Sequence, residues 1–135
     1  MVFSRALSVG VSLVLGSLVL AACNSMTSPP DAGNTGGTVA CPSGGTAVAT
    51  TSVTVRDFRF DPACIVVSAG ATVTWTNTGM PIHTVTSDTG APESFDSGSL
   101  GSGGGFTRTF ASPGTIGYHC AVHQSIGMVG TIIVQ

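Results

Sequence analysis

The chain contains no lysine and little charge of either sign, with charged residues making up only 7% of its 135 positions. Four arginines (Arg5, Arg56, Arg59 and Arg108) stand against six acids, for a net charge of −2. Binding to nucleic acid requires clustered cations that neutralise phosphates, so that class of function is not supported. Aromatic residues are also sparse, at 6%. No segment repeats, and no stretch after Ala47 carries the spacing of an amphipathic helix. Apolar runs are short apart from Ala6–Leu20, which falls below the ~20 residues of a membrane span. The length itself suits one folded domain.

Glycine, proline and β-branched residues take the place of charge. Nineteen glycines and seven prolines are spread among Val, Thr and Ile, a composition of short strands and frequent turns.

The N-terminus has the order of a secretory signal: one positive charge at Arg5, the apolar run, then small residues in Leu20-Ala21-Ala22-Cys23. LAAC resembles the bacterial lipoprotein box. That resemblance implies a signal peptide over residues 1–22, cleavage before Cys23, and diacylglycerol on the Cys23 sulfur. An ordinary signal with a nearby cysteine, or a retained N-terminal helix, are the alternatives. Residues 23–46 are polar and rich in Gly, Pro and Ser, and read as a flexible tether. The expected location is therefore extracytoplasmic, on a bacterial membrane through the anchor at Cys23.

Export places the remaining cysteines in an oxidising compartment. With Cys23 assigned to lipid, three are left. Cys120 has metal-ligating neighbours, whereas Cys41 and Cys64 have none, so Cys41 and Cys64 are expected to pair. Two free thiols are the other possibility.

From Ala47 to Gln135 the chain reads as strands. Val53 to Phe60 looks like one strand ending at Asp61-Pro62, and Cys64–Val67 is short. In Thr72–Asn77, Val73 and Trp75 alternate with threonines, the pattern of a strand with one buried face. Ile82–Thr86 is expected as a strand and residues 88–105 as a long loop with Phe95 turned inward. Segments at 106–110, 115–120 and 128–134 complete the set. This spacing predicts an all-β, single-domain Greek-key sandwich over residues 47–135.

The chemistry is concentrated at His83, Cys120, His123 and Met128. The C-terminal three are spaced Cys-x2-His-x4-Met, and His83 lies 37 residues upstream of the cysteine. Two imidazoles, one thiolate and a weak thioether are the ligand set of a type 1 copper site. Soft sulfur suits Cu(I), imidazole serves both oxidation states, and structural zinc sites do not close with Met. Strand alternation turns Ile116, Tyr118 and Cys120 inward and His119 outward. Each residue alone has a plainer reading: a strand histidine, a core methionine, a buried thiol. Together they form a pattern.

The segment GTIGYHCAVHQSIGMVGTIIV resembles the C-terminal ligand loop of plastocyanin-like cupredoxins, and TVTWTNTGMPIHTVTSD resembles their upstream histidine segment. The resemblance implies a β-sandwich with one blue copper that shuttles single electrons between redox partner proteins. It also implies that His123 is the ligand reaching the surface, ringed by Met80, Pro81, Ile82, Val122 and Ile126 as a docking patch. Two departures stand out. Thr84 occupies the position where plastocyanins usually carry the Asn that ties the two ligand loops together, and Ala121-Val122 lacks their proline. His119-Cys120 also resembles copper nitrite reductases, but three histidines cannot build a second, catalytic copper centre in one chain. The expected function is thus an electron carrier rather than an enzyme, acting as a monomer. A copper carrier or storage protein is the alternative, and an adhesive sandwich with a structural metal is the third.

Overall fold

The computed structural model describes residues 38–135. The expected signal peptide, Cys23 and most of the expected tether lie outside the described residues. Nine strands and one turn of 3-10 helix follow in order: β1 Val48–Ala49, β2 Ser52–Arg56, β3 Arg59–Asp61, β4 Cys64–Val67, β5 Thr72–Asn77, β6 Thr86–Ser87, β7 Gly105–Thr109, β8 Gly114–His119, the 3-10 turn Gln124–Ile126, and β9 Val129–Val134. Among the described residues no helix is long and apolar enough to cross a membrane.

The strands form two sheets, one ordered β1-β4-β9-β8-β6 and the other β3-β2-β5-β7. The pairs β1–β4, β2–β5 and β4–β9 are parallel, so chain neighbours are often separated in space, as in a Greek-key sandwich. Alternation decides which faces meet. Val53, Val55, Val73 and Trp75 from one sheet and Ile65, Ile116, Tyr118 and Ile132 from the other fill a common core. Trp75 sits at its centre, with the rings of Phe95, Phe106, Phe110 and Tyr118 at centroid distances of 5.6–6.4 Å. Threonines and Ser52 take the opposite face of β2, β5 and β7, and Thr72 and Thr109 hydrogen-bond across it at 2.7 Å.

Two strand expectations are corrected. The stretch from Val53 to Phe60 is a hairpin, β2 and β3, turning at Asp57-Phe58 with Phe58 in the left-handed region (φ 61°). No Gly, Pro or Asn announces that turn. Ile82–Thr86 is not a continuous strand: only Thr86–Ser87 pairs with β8, while His83 forms an isolated bridge with Leu100. The glycine-rich loop doubles back to make that bridge, so it is partly organised by pairing. Phe95 is buried, as expected.

Cys41 and Cys64 are joined in a disulfide. They belong to a small satellite cluster with Ala47, against which Val39, Val66 and Ile133 pack. The bond fastens the segment entering the sandwich to the first residue of β4.

Candidate metal centre

Cys120 follows directly on β8, and the inward side of that strand, Ile116 and Tyr118, leads to it; all three are fully buried. The chain then folds tightly around the sulfur. The His123 N–H donates to the Cys120 carbonyl at 3.0 Å, and the 3-10 turn ends at Gly127, whose φ of 86° favours glycine. Met128 closes the loop by donating its N–H to the His123 carbonyl (3.3 Å) and accepting the Cys120 N–H (3.1 Å). Its side chain is fully buried. His83 arrives from the other side, on the segment that leaves β5. It is also fully buried, and its main chain exchanges two hydrogen bonds with Leu100, at 3.0 and 2.7 Å.

Three donor atoms converge. Cys120 Sγ lies 3.6 Å from His83 Nδ1 and 3.4 Å from His123 Nδ1, and the two Nδ1 atoms are 3.2 Å apart. The centre of a triangle with those sides is about 2 Å from each corner, the bond length of a first-row metal to imidazole nitrogen and a little under that to sulfur. The donor set of two nitrogens and one sulfur therefore fits a metal ion. The environment discourages protons at the same place. Burial, and then the neighbouring His123, holds the His83 imidazole below its ordinary range, while Asp57 pulls weakly the other way. The main-chain N–H of Thr84 points at the Cys120 sulfur from 3.4 Å.

Comparison with known proteins follows the same lines. Residues 47–135 match the family model of copper binding proteins of the plastocyanin/azurin family. The chain belongs to that family. Chloroplastic plastocyanin of Tetradesmus obliquus is 37% identical over 84 residues, 56% of this chain and 58% of that protein. Halocyanin of Natronomonas pharaonis is 40% identical over 80 residues, 58% of this chain and 49% of that protein. The chain thus spans little more than half of the first and about half of the second. Among solved structures, a purple cupredoxin from Nitrosopumilus maritimus superposes with a TM-score of 0.57 at 25% identity, over 64% of this chain and all of that one. A mutant fern plastocyanin gives 0.56 at 31%, over 62% of this chain and 99% of that one. These likenesses, with the His83–Cys120–His123 cluster, assign one type 1 copper to this cupredoxin.

Around the three donors, a hydroxyl ties the two ligand-bearing segments together. The Thr84 hydroxyl accepts the Ala121 N–H at 2.8 Å and contacts the Thr86 hydroxyl at 3.0 Å. Thr84 thus links the segment carrying His83 to the loop that begins at Cys120. His119 points away from the sulfur, as alternation requires, but it is largely covered: its Nδ1 lies 2.6 Å from Asp88 Oδ1. It joins β8 to the start of the long loop and takes no part in the cluster.

Met80, Ile82, Val122 and Ile126 are exposed, Met80 at 84%, and Pro81 is half-buried. His123 is the one member of the His-Cys-His cluster with solvent access. Two residues were not singled out from sequence. Phe58, half exposed, stands edge-on to the His123 ring with centroids 5.0 Å apart. Asn77, fully buried at the end of β5, contacts the segments flanking His83. The first was hidden by the unannounced hairpin. The second carried only one signal, a polar residue on the inward side of an alternating strand.

Proposed function

We propose that this cupredoxin carries single electrons outside the cytoplasm, and that His83, Cys120, His123 and Met128 would hold its copper. The observation that carries the reading is the convergence of three donors from two chain segments, two of them fully buried and the third reaching the surface. Copper bound there supplies a one-electron couple between Cu(I) and Cu(II). The protein's part is to hold still. Cys120 and His123 are fixed by the hydrogen-bonded loop 120–128, and His83 is fixed by its bridge to Leu100. Ligands that cannot rearrange when the charge changes keep the barrier to electron transfer low. With Met128 as a fourth donor, four side chains of this one chain would hold the metal and leave no open position for a substrate.

Electrons would enter and leave at the His123 edge, where Met80, Pro81, Ile82, Val122 and Ile126, with Phe58 beside them, form an apolar docking patch. Small apolar contacts suit the brief binding that turnover requires. The LAAC sequence supports a lipid anchor at Cys23, which would hold the carrier at a membrane and limit its search for partners.

The test is the copper-loaded protein. An intense visible band that bleaches reversibly on one-electron reduction, with the matching spin-resonance spectrum, is expected. Rapid surrender of copper to a chelator, without reversible redox chemistry, would favour a copper carrier instead. Replacing Met80 or Ile126 by Lys is expected to slow electron exchange with a protein partner. Unchanged rates would remove the patch from the reading.

A further inference from the structure

Asn77 is buried where an amide is costly, because its two donors and its acceptor all lose water. Each finds a partner. Nδ2 donates to the carbonyls of Pro81 (3.0 Å) and Leu100 (2.9 Å), and Oδ1 accepts the Gly79 N–H (2.9 Å). Turned over, the amide would set its oxygen against two carbonyls, so only one orientation satisfies the site. The Asn77 main chain adds bonds to Gly104 and Gly103, at 2.8 and 2.7 Å.

These partners are the two flanks of His83. Gly79 and Pro81 belong to the turn leading into it, and Leu100 is the residue bridged to it. The Leu100 carbonyl receives both the Asn77 amide and the His83 N–H. The His83 ring has no comparable support. Its Nε2 is buried and has no hydrogen-bond partner among the described residues, whereas a metal-binding histidine ordinarily donates that N–H to an acceptor that fixes the ring. With no such bond, the ring is aimed by its backbone and by the packing around it.

We infer that Asn77 is a positioning residue of the metal site, clamping the backbone on both sides of His83 so that Nδ1 faces Cys120 before any metal arrives. The inference rests on the copper reading above. In this chain the work usually done by an acceptor behind the ring is done by an amide in front of it.

Asn77→Asp tests this closely, since it keeps the shape and the acceptor for Gly79 but removes both donors. Copper is expected to leave this variant for a chelator about 10- to 100-fold faster, with shifted visible and spin-resonance spectra. Val53→Ala, a core truncation in β2, supplies the control: it lowers thermal stability while leaving spectra and release rate unchanged. An Asn77→Asp protein with native spectra and native release would overturn the inference, as would a Val53→Ala protein showing the same losses. If the Asn77 variant does not fold, the native metal-free protein decides. Slow hydrogen exchange at the Asn77 side-chain amide and the His83 N–H is expected; exchange at the unprotected rate would overturn the clamp. A native protein that never turns blue, with those protons still protected, would refute the copper reading and leave the clamp standing.

Discussion

Phe58 stands edge-on to His123, its ring plane at 85° to the imidazole and its centroid 5.0 Å away. It holds that place from a left-handed backbone conformation, which costs a side-chain-bearing residue about 1–2 kcal/mol. A half-exposed ring recovers only part of that by burial. Phe58→Gly is therefore expected to change stability by less than about 1 kcal/mol, since relieved strain offsets lost contact. It should slow electron exchange and alter the His123 ring resonances of the reduced protein. Exchange at the native rate would show that the ring is not part of the face.

Cys120→Ser separates the thiolate from everything else in the site. The hydroxyl fits the space but lacks the soft sulfur to which the visible charge transfer belongs. The copper-loaded variant is expected to lose the intense colour, as read by absorption, while keeping its β-sheet circular dichroism. Colour retained in full would contradict the assignment.

Acid should weaken the metal-free protein through His83. Its imidazole lies below the ordinary range when folded and near 6.5 when unfolded, so the unfolded chain binds the proton more readily. This group's unfavourable contribution is absent well above pH 6.5 and grows as pH falls through that value. Thermal unfolding of the metal-free protein between pH 8 and pH 5 should show this slope, and His83→Gln should flatten it.

The Cys41–Cys64 bond closes a segment with a sequence separation of 23 residues. In the chain-entropy model its removal costs about 3 kcal/mol. The double variant Cys41→Ala, Cys64→Ala should melt earlier by that equivalent while its copper spectra stay native, because the bond sits in a satellite cluster apart from the main core. Altered spectra would tie that cluster to the metal site.

Much of this was legible in the chain. Alternation in Thr72–Asn77 and Thr115–Cys120 reported one buried face because each strand has one, and the compact Cys-x2-His-x4-Met spacing reported a loop that closes on itself. What escaped was set by tertiary contact. The hairpin at Phe58 uses a residue type that gives no turn signal, and the folding back of residues 98–104 onto His83 depends on Asn77 and Leu100, which are far apart in sequence. The Cys41–Cys64 pairing could be reached by elimination only after Cys120 had been given to the metal.

The burial of His83 and Cys120, with His123 alone reaching solvent, has a kinetic consequence for an electron carrier. Donor and acceptor would have to use the same small window, so neither could be seated while the other was. Turnover would then follow a strict alternation of visits, and a tightly bound donor would act as a competitive inhibitor of the acceptor.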